Sequence, residues 1–308
     1  MLFVECKGTP FEFYAGLFLK NCKKTWPEVQ QRRIDFRATS KGQMARLPRG
    51  NARHSPTALK ENFWISSPST SARRLISACS VTGNWDWMTQ QKENIIITKI
   101  TQTDKPTIIQ VTEAGIIGKI GFNDAGVGTL LNAIKVQGVN SARMPVHFGL
   151  RMALESASVD EAVGRLERYG MASSAHILLA DPHKSLGLEF TKSTFAHCMP
   201  DSGGRVVHTN HLLLDHPSEK DTVWINDSLS RAQTMGENAG RLGSGAAWEE
   251  VGGLFEDEQN APGAICRTET EVTGSATLFN IVMDLKAKRA VVRLGRPTEV
   301  EERVELEL

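Results

Sequence analysis

Three short runs rich in β-branched residues, 94–100 (NIIITKI), 107–113 (TIIQVTE) and 126–134 (GVGTLLNAI), follow one another with turn residues between them. Runs of this length and composition form strands. Gly115, Gly118, Gly121 and Gly126 fall between or beside them and imply tight turns or close backbone packing. Pro145 then opens a helical stretch through Ala157, with Val146, Leu150, Met152, Ala153 and Ala157 roughly on one face. Ser158 and Glu161 have the spacing of a capping box for a second helix ending near Tyr169. Further strands are predicted at 175–180, 186–191 and 204–209, a mostly helical stretch from Asn226 to about Phe255, and two closing strands at 276–283 and 289–294. Because the helices are grouped and do not alternate with the strands, the pattern predicts an α+β fold. It is one of stacked antiparallel sheets flanked by helices, and not a doubly wound parallel sheet.

Residues 31–80 break this regularity. The segment carries ten Lys/Arg against two Asp/Glu in a chain whose totals are 36 and 35, and it is crowded with Ser, Arg, Pro and Thr without a sustained period. Its composition is that of a basic disordered linker or loop, with a nucleic-acid arm as the functional alternative. The near-neutral whole gives no reason to expect a nucleic-acid or membrane partner. Five scattered cysteines without a C-x-x-C pair indicate neither a disulfide framework nor a zinc site. No stretch approaches the roughly 20 apolar residues that span a bilayer. The start reaches Glu5 before a signal core forms, and the C-terminal VELEL is not a peroxisomal ending. The expectation is a cytoplasmic protein without signal peptide or transmembrane segment, folded as a single domain over 1–308.

Several strings are too specific to be composition alone: Asn84 to Trp87 (NWDW), Val111 to Gly121 (VTEAGIIGKIG), Asn123 to Val127 (NDAGV), Gly187 to Phe190 (GLEF), His208 to His211 (HTNH), Ala276 to Ile281 (ATLFNI) and Val292 to Thr298 (VRLGRPT). In this order, together with Gly8 to Glu12 (GTPFE), they resemble the acyl-coenzyme A:6-aminopenicillanic acid acyltransferase family, a branch of the N-terminal-nucleophile hydrolases. The resemblance covers about 1–30 and 81–308. It implies a four-layer αββα sandwich made as a precursor that cuts itself at a Gly-Cys bond into two subunits. It also implies a freed Cys whose own α-amine, with a pKa near 8, takes the thiol proton. The acyl group then passes from a small-molecule donor to an amine or to water. No cofactor is implied; acyl-CoA would enter only as a substrate.

The resemblance makes Asp86 the polar partner of the nucleophile region and Asn210 the oxyanion donor. The bland alternatives are a strand-end cap for Asn84–Asp86 and a buried structural role for Asn210. Thr191 follows GLEF where the family has Ser, so its hydroxyl would line the acyl pocket unless it is simply a strand residue. His208 and His211, near Asp215 and His216, do not have ligand spacing, because residues three apart on a strand end point to different faces; no metal is expected. Where penicillin-forming members have Ser-Arg-Gly, this chain has Thr273, Gly274 and Ser275, so a bidentate clamp for carboxylate or phosphate is missing.

The family's nucleophile lies upstream of NWD in a D-G-C-T context that is absent here. The nearest thiol, Cys79, follows Ala78 and stands only five positions before Asn84, too close for the family's intervening strand and turn, so it is not assigned the role. Back-translating Phe63 to Ser80 and reading from the third base yields LDILALNVRTEINFGLF, a string that resembles the family segment leading into D-G-C-T. Met44 to Ser55, read from the second base, can give WPDYLEEMRGIA, with more freedom of choice. Residues 31–80 thus read as an aberrant, out-of-frame segment, leaving the fold incomplete near 31–83. A genuine divergent loop is the alternative, which would make the chain a catalytically silent binding protein with a basic interaction arm.

Overall fold

The structure is a computed structural model that describes residues 2–7, 64–67, 80–223, 225–243, 246–270 and 274–308, the first two stretches as backbone. Sheet A has eight strands in the order β1 (Leu2–Lys7), β4 (Ile95–Thr101), β5 (Ile108–Glu113), β6 (Ile120–Asn123), β7 (Gly128–Ala133), β8 (Ala175–Ala180), β9 (Ser185–Phe190), β10 (Phe195–Cys198). Sheet B has six, in the order β11 (Val206–His208), β2 (Trp64–Ser67), β3 (Ser80–Met88), β12 (Ser275–Asp284), β13 (Arg289–Arg296), β14 (Glu299–Glu307). All pairs are antiparallel except β1 with β4.

The two sheets stack through one core in which Trp85 and Phe279 of sheet B lie among Ile97, Val111, Ile120 and Phe122 of sheet A. Helices α1 (Val146–Leu154) and α2 (Val159–Tyr169) cover the outer face of sheet A. Helices α3 (Ser228–Arg241) and α4 (Trp248–Gly253) cover sheet B and enclose Met235, Ala239, Val251, Phe255 and Ile265. This is the expected four-layer αββα sandwich. Covered on both sides, a strand such as β8 (AHILLA) buries all six of its residues, which is why it reads as a nearly continuous apolar run. Among the described residues, no helix is long and apolar enough to cross a membrane.

Ser158 caps α2 by accepting from the Glu161 N–H at 3.2 Å, as its spacing predicts. The NDAGV string is a structural device. Gly126 adopts φ +89°, the Val127 N–H donates to Asn123 Oδ1, and Asn123 Nδ2 donates to the Leu154 and Ser156 carbonyls, tying the β6–β7 turn to the end of α1.

Three expectations are corrected. The chain closes with three strands and not two, because β14 pairs along β13 as an edge strand whose first five residues are all exposed; five glutamates in nine residues mask it as a strand. Within the segment read as an aperiodic linker, Trp64–Ser67 forms β2, between β11 and β3. Ser80–Gly83 belongs to β3, a single nine-residue strand in which Asn84–Asp86 is interior and caps no strand end. Sheet B is therefore continuous across the position where a gap was expected near 31–83, since strand 64–67 supplies the pairing partner. Residues 31–63 and 68–79 lie outside the described residues.

Gly121 has no room for a side chain, because a Cβ there would run into the Ile109 carbonyl and stand 2.6 Å from Gln110 Cα. Gly121→Ala is expected to destabilise the fold at or above the upper end of the roughly 1–3 kcal/mol that overpacking costs. Denaturant titration checks this.

Candidate active site

Asp86 sits opposite Thr277 in the β3–β12 ladder, fully buried on the face that looks toward α3 and α4. The Thr277 hydroxyl donates to Asp86 Oδ1 at 2.6 Å and itself accepts the Arg267 N–H at 2.9 Å. The Arg267 guanidinium faces Asp86 Oδ2 with its Nε at 3.2 Å and grips Asp227 through Nη2. Asp227 Oδ1 also accepts from Arg231 Nε at 2.7 Å, one helical turn on at the start of α3. Arg231 Nη2 then donates to Asn210 Oδ1 at 2.9 Å. The two residues singled out from the sequence, 124 positions apart, are thus joined by one chain: Asp86, Arg267, Asp227, Arg231, Asn210.

The chain defines what Asn210 presents. Its Oδ1 is held by a cation that can only donate, so the amide nitrogen points the other way, where it donates to the Ala133 carbonyl at 3.1 Å at the end of β7. Its backbone N–H donates to Ser228 Oγ at 2.8 Å, and Ser228 also bonds His211 Nδ1 at 2.7 Å. The HTNH string is therefore fastened to the first turn of α3 and to the end of β7, an interior strand of sheet A, at once.

Alternating charges make the burial tolerable. Burial pushes the Asp86 carboxyl up, and Arg267 and the Thr277 hydroxyl pull it part of the way back. For Asp227 burial also pushes upward, but Arg231 and Arg267 outweigh it and hold the carboxyl below its ordinary range. Burial and the neighbouring Arg267 bring Arg231 down to about 10, still cationic at neutral pH. Of the two carboxyls in this chain, Asp86 is the one that burial leaves raised, whereas Asp227 is held low.

Thr191 is elsewhere. Its hydroxyl accepts from the Ser193 and Thr194 N–H groups at 3.1 and 3.0 Å and lies 3.2 Å from Glu219 Oε1, closing the turn between β9 and β10. In this setting it organises the turn, and no contact joins it to Asp86 or Asn210. Both cysteines whose side chains are described, Cys198 and Cys266, have thiols pushed up by burial and are not activated nucleophiles. Cys79 lies outside the described residues. The position matching the clamp of penicillin-forming members includes Gly274, at φ +54°, a backbone in which an arginine would be strained; Thr273 lies outside the described residues.

Sequence reasoning missed Asp227, Arg231 and Arg267. The first two are an i, i+4 acid–base pair at a helix start, a signal present in the sequence but no different there from a solvated pair. Arg267 is in an irregular segment and carries no local signal.

Comparison with known proteins identifies the family. A family model described as acyl-coenzyme A:6-aminopenicillanic acid acyl-transferase matches residues 78–299. The chain is 36% identical to the 40 kDa form of acyl-coenzyme A:6-aminopenicillanic-acid-acyltransferase from Emericella nidulans, over 98% of this chain and 95% of that protein. That match extends over 340 residues against the 308 of this chain, so at least 32 positions have no counterpart here. By structure, the chain is similar to a Caenorhabditis elegans N-acylethanolamine-hydrolyzing acid amidase orthologue, with TM-score 0.55 and 17% identity over 72% of this chain and 92% of that one. It is also similar to penicillin V acylase from Agrobacterium tumefaciens, with TM-score 0.54 and 10% identity over 80% and 86%. These likenesses show a shared fold.

Removing the Asp227 charge leaves two buried guanidiniums face to face. Asp227→Asn is expected to cost about 3 kcal/mol at neutral pH, the lower end for a broken buried pair, since the Asp227 side chain is 24% exposed. The folded-state pKa is depressed, so the stabilisation is present above the unfolded value near 3.9 and is lost as pH falls through the lower folded value. The gap between wild type and variant should therefore close below about pH 4, as measured by thermal denaturation across pH.

Proposed function

This chain belongs to the acyl-coenzyme A:6-aminopenicillanic acid acyltransferase family, and on that premise we propose that its site performs acyl transfer or amide hydrolysis with Asp86 and Asn210 in the two polar roles. The observation that carries this is the buried chain holding Asp86 and Asn210 in fixed relation. Asp86 orients the α-amine of an N-terminal cysteine and shares its proton. That amine takes the thiol proton, the thiolate attacks the acyl carbonyl, and the developing oxyanion receives a hydrogen bond from Asn210 Nδ2. The tetrahedral intermediate expels a thiol or an amine, which leaves with the proton held by the α-amine. The resulting acyl-cysteine is then discharged to an amine or to water.

The cysteine that fits this role stands upstream of Asn84 by a strand and a turn, in a Gly-Cys pair that self-cleavage opens, giving two subunits. Residues from about 31 to 80 are then an out-of-frame rendering of the gene segment that encodes it. The positions lacking a counterpart in the Emericella nidulans comparison, and the start of the family match at residue 78, support this reading. The donor is a small-molecule thioester, such as an acyl-CoA, or a linear amide. The left-handed Gly274 where penicillin-forming members carry arginine makes the penicillin nucleus a poor acceptor.

Two outcomes test the proposal. The chain as given should run as one band on a denaturing gel; two fragments split before Cys79 would overturn the assignment of the nucleophile. The gene, reread with corrected frames or introns, should encode W-P-x-Y-L-E-E-M, then L-N-V-R-T-E, then Gly-Cys ahead of Asn84. The restored protein should cleave itself and turn over acyl substrates, with Asp86→Ala impairing processing and Asn210→Ala lowering turnover by about 10²–10³. A single open frame without Gly-Cys codons would sink the frame argument.

A further inference from the structure

Apart from the catalytic chain, a second buried polar cluster lies between the sheets where β8, β9 and β10 face β11. Glu189 of β9 stands directly across from His176 of β8, and Gly187, two residues back, stands across from Cys198 of β10. His208, at the end of β11, reaches this locus from the other sheet. A carboxylate oxygen of Glu189, Cys198 Sγ and a ring nitrogen of His208 lie within 4.8 Å of one another, and all three residues are buried. One carboxylate, one thiol and one imidazole converging in a closed interior is a donor set suited to zinc.

The surroundings have the form that metal-binding histidines require. The Nδ1 of His208 lies 2.7 Å from the Thr209 carbonyl, which only accepts, so Nδ1 carries a proton and Nε2, 2.6 Å from Glu189 Oε1, is the inward atom. In the same way His216 has Nδ1 bonded to Thr194 Oγ1 at 2.8 Å and Nε2 on Glu189 Oε2 at 3.1 Å. The Leu213 and Leu214 N–H groups fix both carboxylate oxygens from the backbone. Anchoring of the outer ring nitrogen and of the carboxylate is the usual second sphere of a zinc site.

An independent observation comes from His176. It is wholly buried, its Nδ1 is bonded to Asn132 Oδ1 at 2.8 Å, and its Nε2 has no hydrogen-bond partner among the described residues. That nitrogen occupies the space a Cβ on Gly187 would fill, and Cys198 Cβ lies 3.0 Å from the same point. The glycine is what lets the orphan nitrogen and the thiol converge. His176 is stacked parallel to His208 with centroids 3.7 Å apart, so an ion in the plane of the His208 ring is above the plane of His176. His208 is therefore the ligand, and His176 Nε2 is placed to accept a hydrogen bond from a water completing the coordination.

We propose that Glu189, Cys198 and His208 form a zinc-type metal site that clamps edge strand β10 and β9 of sheet A to β11 of sheet B. Binding displaces the Cys198 thiol proton and the proton between His208 and Glu189, so two protons leave as one dication enters. The ligand atoms then spread from the 2.6 Å of the His208–Glu189 contact to the roughly 3.3 Å that tetrahedral bonds of about 2.0–2.3 Å impose. The sequence could not reveal the site, because its ligands come from three strands and neither His211 nor Asp215 takes part.

The test uses the full chain, stripped with a chelator and titrated with Co²⁺ and then Zn²⁺. One equivalent of Co²⁺ should produce near-ultraviolet thiolate-to-cobalt absorption that Zn²⁺ abolishes, and Zn²⁺ should raise the melting temperature. Cys198→Ser should lose the absorption, whereas Cys266→Ser should keep it. His216→Gln, which touches only the second sphere, should weaken binding about 10–100-fold. No thiolate band with the wild-type chain, or a band that survives in Cys198→Ser, overturns the site. The readout needs no acyl transfer and stands apart from the catalytic reading.

Discussion

The alternation of charge from Asp86 through Arg267, Asp227 and Arg231 to Asn210 is the constraint on which the candidate site depends. Two arginines with 1–2% exposure are sustainable only because each faces a carboxylate. Asp227 is the hinge of the arrangement, since it neutralises both. Through it, the position of β3 in sheet B is coupled to a loop that leans on the end of β7 in sheet A. The sheets are held in register by polar contacts of fixed direction as well as by the apolar core.

A second polar bridge joins the sheets through Glu189. Its carboxylate collects His208, His216 and two backbone N–H groups, and so it clamps the loop on either side of Asn210. The HTNH string is where the two bridges meet: His208 belongs to one, Asn210 to the other, and Thr209 and His211 share Ser228 with the first turn of α3. A string that reads in sequence as a possible ligand pair is, in the fold, a junction between two buried networks.

Other strings divide in the same way. Asn84 donates to the Phe255 and Ile265 carbonyls and accepts from Asn280, which in turn accepts from Arg293, so residues of NWDW, ATLFNI and VRLGRPT make one framework beneath the helices. Trp85, pointing the opposite way on the same strand, packs between the sheets against Phe279 with the Lys119 ammonium over its ring at 3.4 Å. Alternation along one strand thus sends the NWDW motif into two layers.

The sequence by itself determined the layers. Short β-branched runs, the Ser158 capping box and the grouping of helices dictate antiparallel sheets with helices outside, because these signals act over a few residues and owe nothing to distant chain. It also marked Asp86 and Asn210, through motifs whose residue types match known chemistry. Only the tertiary structure decided that Arg267, Asp227 and Arg231 lie between them, that Thr191 closes a turn, and that Glu189, Cys198 and His176 converge on His208. Such contacts join residues from separate strands and helices, and their partners are chosen by which faces the sheet register brings together. A charged side chain carries no local sign of whether it will be solvated or buried against its opposite. β14 went unread for a related reason: pairing with β13 satisfies its backbone whatever its side chains are, so a strand forms although its first half is acidic and its apolar alternation is confined to Val304 and Leu306.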